Sequence, residues 1–233
     1  PHPHIGLATV SYLFEGALMH RDSTGAVQRI VPGAINWMTA GRGIVHSERT
    51  PDDLRAVARR VHGLQLWVAL PEALEQAEPR FAHTPAEAIP VLRLGAATAR
   101  VLVGAAHAAV SPVATLSPTL FVDYDCRPGA ALEIPAAAQE RALYGVDAGF
   151  DLDGVAVPAR TLAVLDADAT PTLRCADGAR IVLVGGAPLG HRLMVWNFVS
   201  SRRERIVAAQ EDWKAQRFAP VPGETEFVPL PER

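Results

Sequence analysis

The chain opens on Pro1-His2-Pro3-His4, and His46-Ser47-Glu48 repeats the same two-residue spacing further along. Residues i and i+2 of an extended strand face the same side, so each pair presents two donor groups together without any special backbone. If the two strands are neighbours, three imidazole nitrogens and one carboxylate oxygen meet. Adjacent strands lie ~4.8 Å apart and metal–nitrogen bonds are ~2.1 Å long, so this spacing suits a single ion. Imidazole and carboxylate ligands together, with positions left for water, favour iron, manganese, nickel, copper or zinc over magnesium or calcium. His20, His62, His83, His107 and His191 have no partner at ligand spacing. We read them as hydrogen-bonded or exposed.

The elements that must position these groups read as strands. Apolar and polar residues alternate over Thr9–Phe14, Val27–Val31, Leu64–Leu70, Val101–Gly104 and Leu120–Tyr124. Gly, Pro, Asp and Asn punctuate them at short intervals, which indicates an all-β sandwich or barrel. Asp22-Ser23-Thr24-Gly25 and Asp151-Leu152-Asp153-Gly154 read as turns. Their surroundings resemble each other and suggest two related barrels in tandem, at 1–110 and 111–190. The Pro/Glu/Ala-rich stretch 72–90 reads as irregular. The segment 191–233 differs. Ser201-Arg202-Arg203-Glu204 has the form of a capping box, so a helix is expected over 201–217, ended at Pro220-Val221-Pro222-Gly223 and followed by an extended tail to Arg233. Trp37 and Trp67 alternate with apolar neighbours and read as core.

Composition excludes several classes. The 233 residues carry a net charge of -3 and 49% apolar residues, enough to bury a sizeable core. Apart from Arg202, Arg203 and Arg205, read as a solvated helix face, there is no basic cluster, which argues against a nucleic-acid partner. No apolar run reaches the ~18 residues of a membrane span. Two cysteines, Cys126 and Cys175, are too few for a disulfide framework and fit a reducing, cytoplasmic setting. Because the chain begins at Pro1 rather than Met, we expect an N-terminal segment ahead of it that would hold any targeting signal.

Several stretches together resemble the pirin family. They are Pro1-His2-Pro3-His4-Ile5-Gly6, Tyr12-Leu13-Phe14-Glu15-Gly16, His20-Arg21-Asp22-Ser23, Trp37-Met38-Thr39-Ala40-Gly41-Arg42-Gly43-Ile44-Val45-His46-Ser47-Glu48 and His62-Gly63-Leu64-Gln65-Leu66-Trp67-Val68. Gly185-Gly186-Ala187-Pro188-Leu189-Gly190 fits the same family, and Trp196-Asn197-Phe198-Val199-Ser200-Ser201-Arg202 is similar to its bacterial branch. The resemblance implies a bicupin, two jelly-roll β-barrels in tandem with a C-terminal helix. It also implies strands contributed by residues ahead of the His-x-His pair.

It further implies one metal in the N-terminal barrel, held by His2, His4, His46 and Glu48. The ion expected is Fe(II), with Cu, Ni, Mn, Co or Zn as alternatives. The implied activity is quercetin 2,3-dioxygenase-like: a flavonol and O2 react, the ring opens and carbon monoxide leaves. In that reaction Glu48 would act as the catalytic base, and Ile5, Met38, Ile44 and Val45 would flank the flat substrate. The alternative is a metal-containing regulatory protein whose surface contacts a protein partner. A monomer is expected. Many pirins carry Glu where this chain has Ala8. Pro135-Ala136-Ala137-Ala138 and Thr172-Leu173-Arg174-Cys175 offer no ligand pairs in the second barrel, so no second metal is expected there.

Overall fold

A computed structural model describes residues 1–231. The final two residues of the expected tail lie outside the described residues. The chain forms two compact units, one made of residues 1–86 with 189–233 and the other of residues 87–188. These limits differ from the 110/111 and 190/191 divisions read from sequence. Residues 91–103 pair into the second unit's sheet, and the C-terminal segment returns to the first unit.

The first unit contains β1 (His2–His4), β2 (Leu7–Glu15), β3 (Leu18–Asp22), β4 (Val27–Ile30), β5 (Ile35–Thr39), β6 (Ile44–Arg49), β7 (His62–Ala69) and β8 (Arg80–Thr84). They make two four-stranded sheets, ordered β1-β6-β3-β4 and β7-β2-β5-β8. The alternating stretches 9–14, 27–31 and 64–70 fall on β2, β4 and β7. The Asp22–Gly25 turn also forms. Asp22 Oδ1 accepts hydrogen bonds from Thr24 N and Thr24 Oγ1 at 2.8 and 2.6 Å, and Gly25 takes φ +90°. The stretch 72–90 is not wholly irregular, because β8 pairs with β5 along its length. Its signal was hidden because only Phe81 marks the buried face of a short, otherwise polar strand.

Alternation on β1 and β6 decides what the first unit buries. His2 pairs with His46 and His4 with Ile44, while Pro3 pairs with Val45 on the opposite face. Ile5 and Val45 pack into an apolar cluster with Phe198, Ile206, Ala209 and Trp213. Phe198 lies on β22 (Phe198–Ser200), which pairs with β21 (Leu193–Val195), and Ile206, Ala209 and Trp213 lie on α1 (Arg203–Lys214). Ile206, Ala209 and Trp213 repeat at three and four residues, one helical stripe.

The helix is shorter than the expected 201–217, and the capping box does not form. Arg202 is the N-cap and makes no side-chain capping bond. Ser201 is drawn elsewhere, its N and Oγ donating to the buried Glu75 carboxylate, which also pairs with Arg192 at 2.6 Å. A buried charge wins this competition because it gains more from each donor than a helix end does.

The second unit contains β9 (Val91–Leu94), β10 (Ala97–Val103), β11 (Ala105–Ala106), β12 (Ala109–Val110), β13 (Thr119–Cys126), β14 (Ala130–Glu133), β15 (Glu140–Gly145), β16 (Phe150–Leu152), β17 (Val155–Val157), β18 (Leu162–Leu165), β19 (Thr172–Cys175) and β20 (Ala179–Gly186). Sheets β18-β15-β20-β13-β10-β9 and β14-β19-β16-β17 face each other across one apolar core that includes Leu120, Val122, Tyr124, Phe150, Leu173 and Leu183. Cys126 and Cys175 are free thiols buried in it. Two tandem double-sheet barrels and one C-terminal helix are the architecture expected from sequence. Among the described residues, no helix is long and apolar enough to cross a membrane.

Gly6, the link between β1 and β2, tests how tightly the histidine strand is held. It has φ +69°, and a Cβ there would lie 1.9 Å from the Val199 carbonyl oxygen. Gly6→Ala is expected to lower stability by well over the ~1 kcal/mol cost expected at Gly25, where φ is +90° and a Cβ would meet nothing. Denaturant unfolding of the two variants checks this, and equal losses would contradict the close approach of β22.

Candidate metal centre

Antiparallel pairing sets one row across three strands. His2 lies opposite His46, and His46 lies opposite Asp22 of β3. One step along, Glu48 lies opposite His20. The inward faces of β1, β6 and β3 therefore carry His2, His4, His46, Glu48, His20 and Asp22.

Three imidazoles converge. His4 Nε2 is 3.1 Å from His46 Nε2, and His46 Nε2 is 2.9 Å from His2 Nε2. Burial lowers the pKa of His2 to about 4 and of His4 to about 3. Burial also holds His46 well below its ordinary value, and neighbouring His4 and His2 push it the same way. All three rings are therefore neutral at pH 7, each with one nitrogen lone pair. Without a cation these contacts are N–H···N hydrogen bonds whose direction the tautomers set, and with the ring protons on Nδ1 the same nitrogens can turn their lone pairs to one ion. Two nitrogens ~2.1 Å from one ion at a right angle stand ~3.0 Å apart, so the observed separations fit adjacent ligands of a single transition-metal ion. His46 Nδ1 is buried without a hydrogen-bond partner, so the ring's polar contacts are all at Nε2.

Glu48 joins the same neighbourhood from its other side. Ligand atoms of His20, His46 and Glu48 lie within 4.8 Å of one another, as do those of His2, His4 and His46. The Glu48 carboxylate is held at both oxygens. Oε1 accepts from Ser11 Oγ at 2.8 Å and Oε2 from Gln65 Nε2 at 2.7 Å. Ser11 and Gln65 are paired residues on β2 and β7, so the facing sheet supplies both donors.

His2, His4 and His46 form one group of converging ligand atoms and Glu48 joins His46 and His20 in a second, so His46 is common to both. His20 is hydrogen-bonded, as expected, with its Nε2 2.9 Å from Asp22 Oδ2, yet it also lies at ligand distance. Its ring stacks on Phe81 with centroids 4.2 Å apart. Burial raises the Asp22 pKa, but hydrogen bonds from His20 and Thr24 outweigh it and the net shift is downward. The signal was present, since His20 and Asp22 have the same i, i+2 spacing as the other two pairs. Ser11 and Gln65 gave none, because only pairing of β2 with β7 reveals them.

Two other expectations change. Ile5, Met38, Ile44 and Val45 are all buried and do not offer a face to a ligand. Ile5 and Val45 pack under the C-terminal helix, while Met38 and Ile44 form an apolar floor with Leu7 and Ala40. Trp37 is core, but Trp67 is 41% exposed and stands edge-on to His4, ring centroids 5.5 Å apart. Ala8 falls on the opposite face of β2 from Thr9 and Ser11, away from the imidazoles.

The buried imidazoles make stability depend on pH with a definite sign. In the unfolded chain each titrates near its ordinary 6.5, while His2 and His4 titrate near 4 and 3 when folded. Across that window the unfolded state binds more protons, so stability is full above about pH 6.5 and falls as the pH drops toward 4. Thermal unfolding of the metal-free chain from pH 7.5 to 4.5 is expected to show a falling midpoint, shallower in a His4→Asn/His46→Asn variant. A midpoint insensitive to pH would contradict the burial argument.

Comparison with known proteins agrees with this architecture. Residues 1–68 match the pirin domain, and residues 121–219 match the pirin C-terminal cupin domain. A pirin-like protein of Caulobacter vibrioides is 43% identical over 235 residues, covering 100% of this chain and 81% of that protein. A Pseudomonas aeruginosa protein provisionally named a quercetin 2,3-dioxygenase is 37% identical over 218 residues, covering 92% of this chain and 67% of its own length. The crystal structure of a quercetin 2,3-dioxygenase from Acinetobacter baumannii superimposes with a TM-score of 0.91 at 33% identity, covering 100% of this chain and 78% of that one. With both domains matched in order and identity sustained along its length, the chain belongs to the pirin family and is built from two tandem cupin domains.

Proposed function

We propose that this pirin is a metal-dependent dioxygenase that opens a flavonol ring with O2 and releases carbon monoxide. Convergence of the neutral His2, His4 and His46 imidazoles, with His46 Nε2 2.9 and 3.1 Å from the other two Nε2 atoms, carries the proposal. The names of the Pseudomonas and Acinetobacter relatives supply the substrate class. His2, His4, His46 and Glu48 would hold one divalent transition metal, with Fe(II) the ion expected and Cu, Ni, Mn, Co or Zn as alternatives.

Such an ion, when bound, supplies Lewis-acid activation of the flavonol 3-hydroxyl and 4-carbonyl oxygens and a route for electrons to O2. The chain's own groups do the rest. Burial keeps the three imidazoles unprotonated, so their lone pairs stay available at neutral pH. Glu48 takes the 3-hydroxyl proton. Its carboxylate is aimed before the reaction because Ser11 and Gln65 each restrain one oxygen. Those two donors keep the carboxylate from turning away from the imidazoles. The apolar floor of Leu7, Met38, Ala40 and Ile44 excludes water from beneath the centre.

The test is aerobic turnover of quercetin by the metal-loaded protein, with bound metal quantified in the same sample. Loss of flavonol absorbance together with release of carbon monoxide is expected. His46→Ala should lose the metal and the activity together. Glu48→Gln, which keeps the shape but cannot accept the proton as a carboxylate does, should lower kcat by about 10²-fold or more. Absence of turnover from a chain carrying close to one equivalent of iron would overturn the proposal.

A further inference from the structure

Exposure differs sharply along one row of the first unit's inner wall. Register places Trp67, Thr9, Met38 and Phe81 in one row across β7, β2, β5 and β8, on the face toward the imidazoles. Thr9 and Met38 are 2% and 1% exposed, whereas Trp67 in the same row is 41% exposed. β7 and β1 are each the last strand of their sheet, and the edge-on contact of Trp67 with His4 bridges them. Two residues along β7, the exposed Gln65 reaches Glu48. Strand β7 therefore presents a solvent-facing indole and an amide directly beside the three imidazoles and the carboxylate.

A large aromatic ring left in water forgoes the favourable burial that its area would otherwise supply. Here the ring lies at one aromatic width from His4, with its neighbours along the row already packed. A flat, electron-rich ring system stacked on it would regain that burial while its edge oxygens met the metal centre. A small aliphatic acid or a sugar would gain much less.

We propose that Trp67 is the platform on which a planar aromatic substrate stacks, and that it sets the preference of this centre for planar over puckered ring systems. The inference rests on the flavonol reading above and adds the residue that recognises the substrate.

The test uses the full chain loaded with iron(II), under anaerobic conditions so that binding is measured without turnover. Quercetin and its counterpart with a saturated 2,3 bond, which is no longer planar, are titrated calorimetrically into wild type, Trp67→Phe and Trp67→Ala. Bound iron is quantified in each. Trp67→Ala should weaken quercetin binding about tenfold, equivalent to ~1.4 kcal/mol, and narrow the preference for quercetin over the saturated compound. Trp67→Phe, which keeps a stacking face, should retain most of both. In aerobic turnover the Ala variant should show a raised KM with kcat little changed. Quercetin binding that is unaltered in Trp67→Ala would overturn this inference alone. Loss of iron from that variant would also overturn it, by making the ring a brace for His4. Failure of the wild type to bind quercetin at all would overturn the flavonol reading and this inference with it.

Discussion

The first unit depends on one constraint: the two-residue alternation of β1 and β6 sends imidazoles inward and apolar groups outward at the same time. His2, His4 and His46 can be buried only if Pro3, Ile5 and Val45 are covered on the other side. The C-terminal segment provides that cover. Phe198 of β22 and the Ile206–Ala209–Trp213 stripe of α1 close over Ile5 and Val45. The helix that follows the second barrel in sequence thus serves the first barrel in space, and Glu75 anchors its approach through Arg192, Ser200 and Ser201.

Burial then determines the chemistry. In water these imidazoles would exchange protons near neutral pH, but inside the barrel the charged form loses its solvation and the rings stay neutral. His46 Nε2, 2.9 and 3.1 Å from the Nε2 atoms of His2 and His4, shares hydrogen bonds with them and stands at the spacing of adjacent ligands around one cation. The surroundings are layered to match. Next to His4, its strand partner Ile44 belongs to an apolar cluster with Leu7, Met38 and Ala40. Around Glu48 the wall is polar, with Ser11 and Gln65 holding the carboxylate. His20 and Asp22 add a buried hydrogen-bonded pair on the next strand.

The second unit shows the same double-sheet plan filled differently. Its interior is a continuous apolar core containing Tyr124 and the two buried thiols. Burial raises the pKa of Cys126 and of Cys175, which keeps both protonated. Both groups of converging ligand atoms found among the described residues belong to the first unit. The residues that occupy the inward positions, not the architecture, decide which chemistry each unit can offer.

The sequence by itself determined the all-β class, the positions of β2, β4 and β7, the Asp22–Gly25 turn and the pairing of His2 with His4 and of His46 with Glu48 on one strand face each. Each of these rests on local rules: period-two alternation, turn chemistry and the i, i+2 spacing of ligand pairs. Tertiary structure decided the rest. Glu48's restraint by Ser11 and Gln65 depends on which strand pairs with β2. The capping box failed because Glu75, distant in sequence, competes for Ser201 with a buried charge. Trp67 looked like core because its neighbours alternate correctly. Alternation says which face a residue takes, but only the order of strands says whether that face is closed, and β7 stands at an edge. Pairing and edge position arise from contacts between residues far apart in the chain, and no local pattern encodes them.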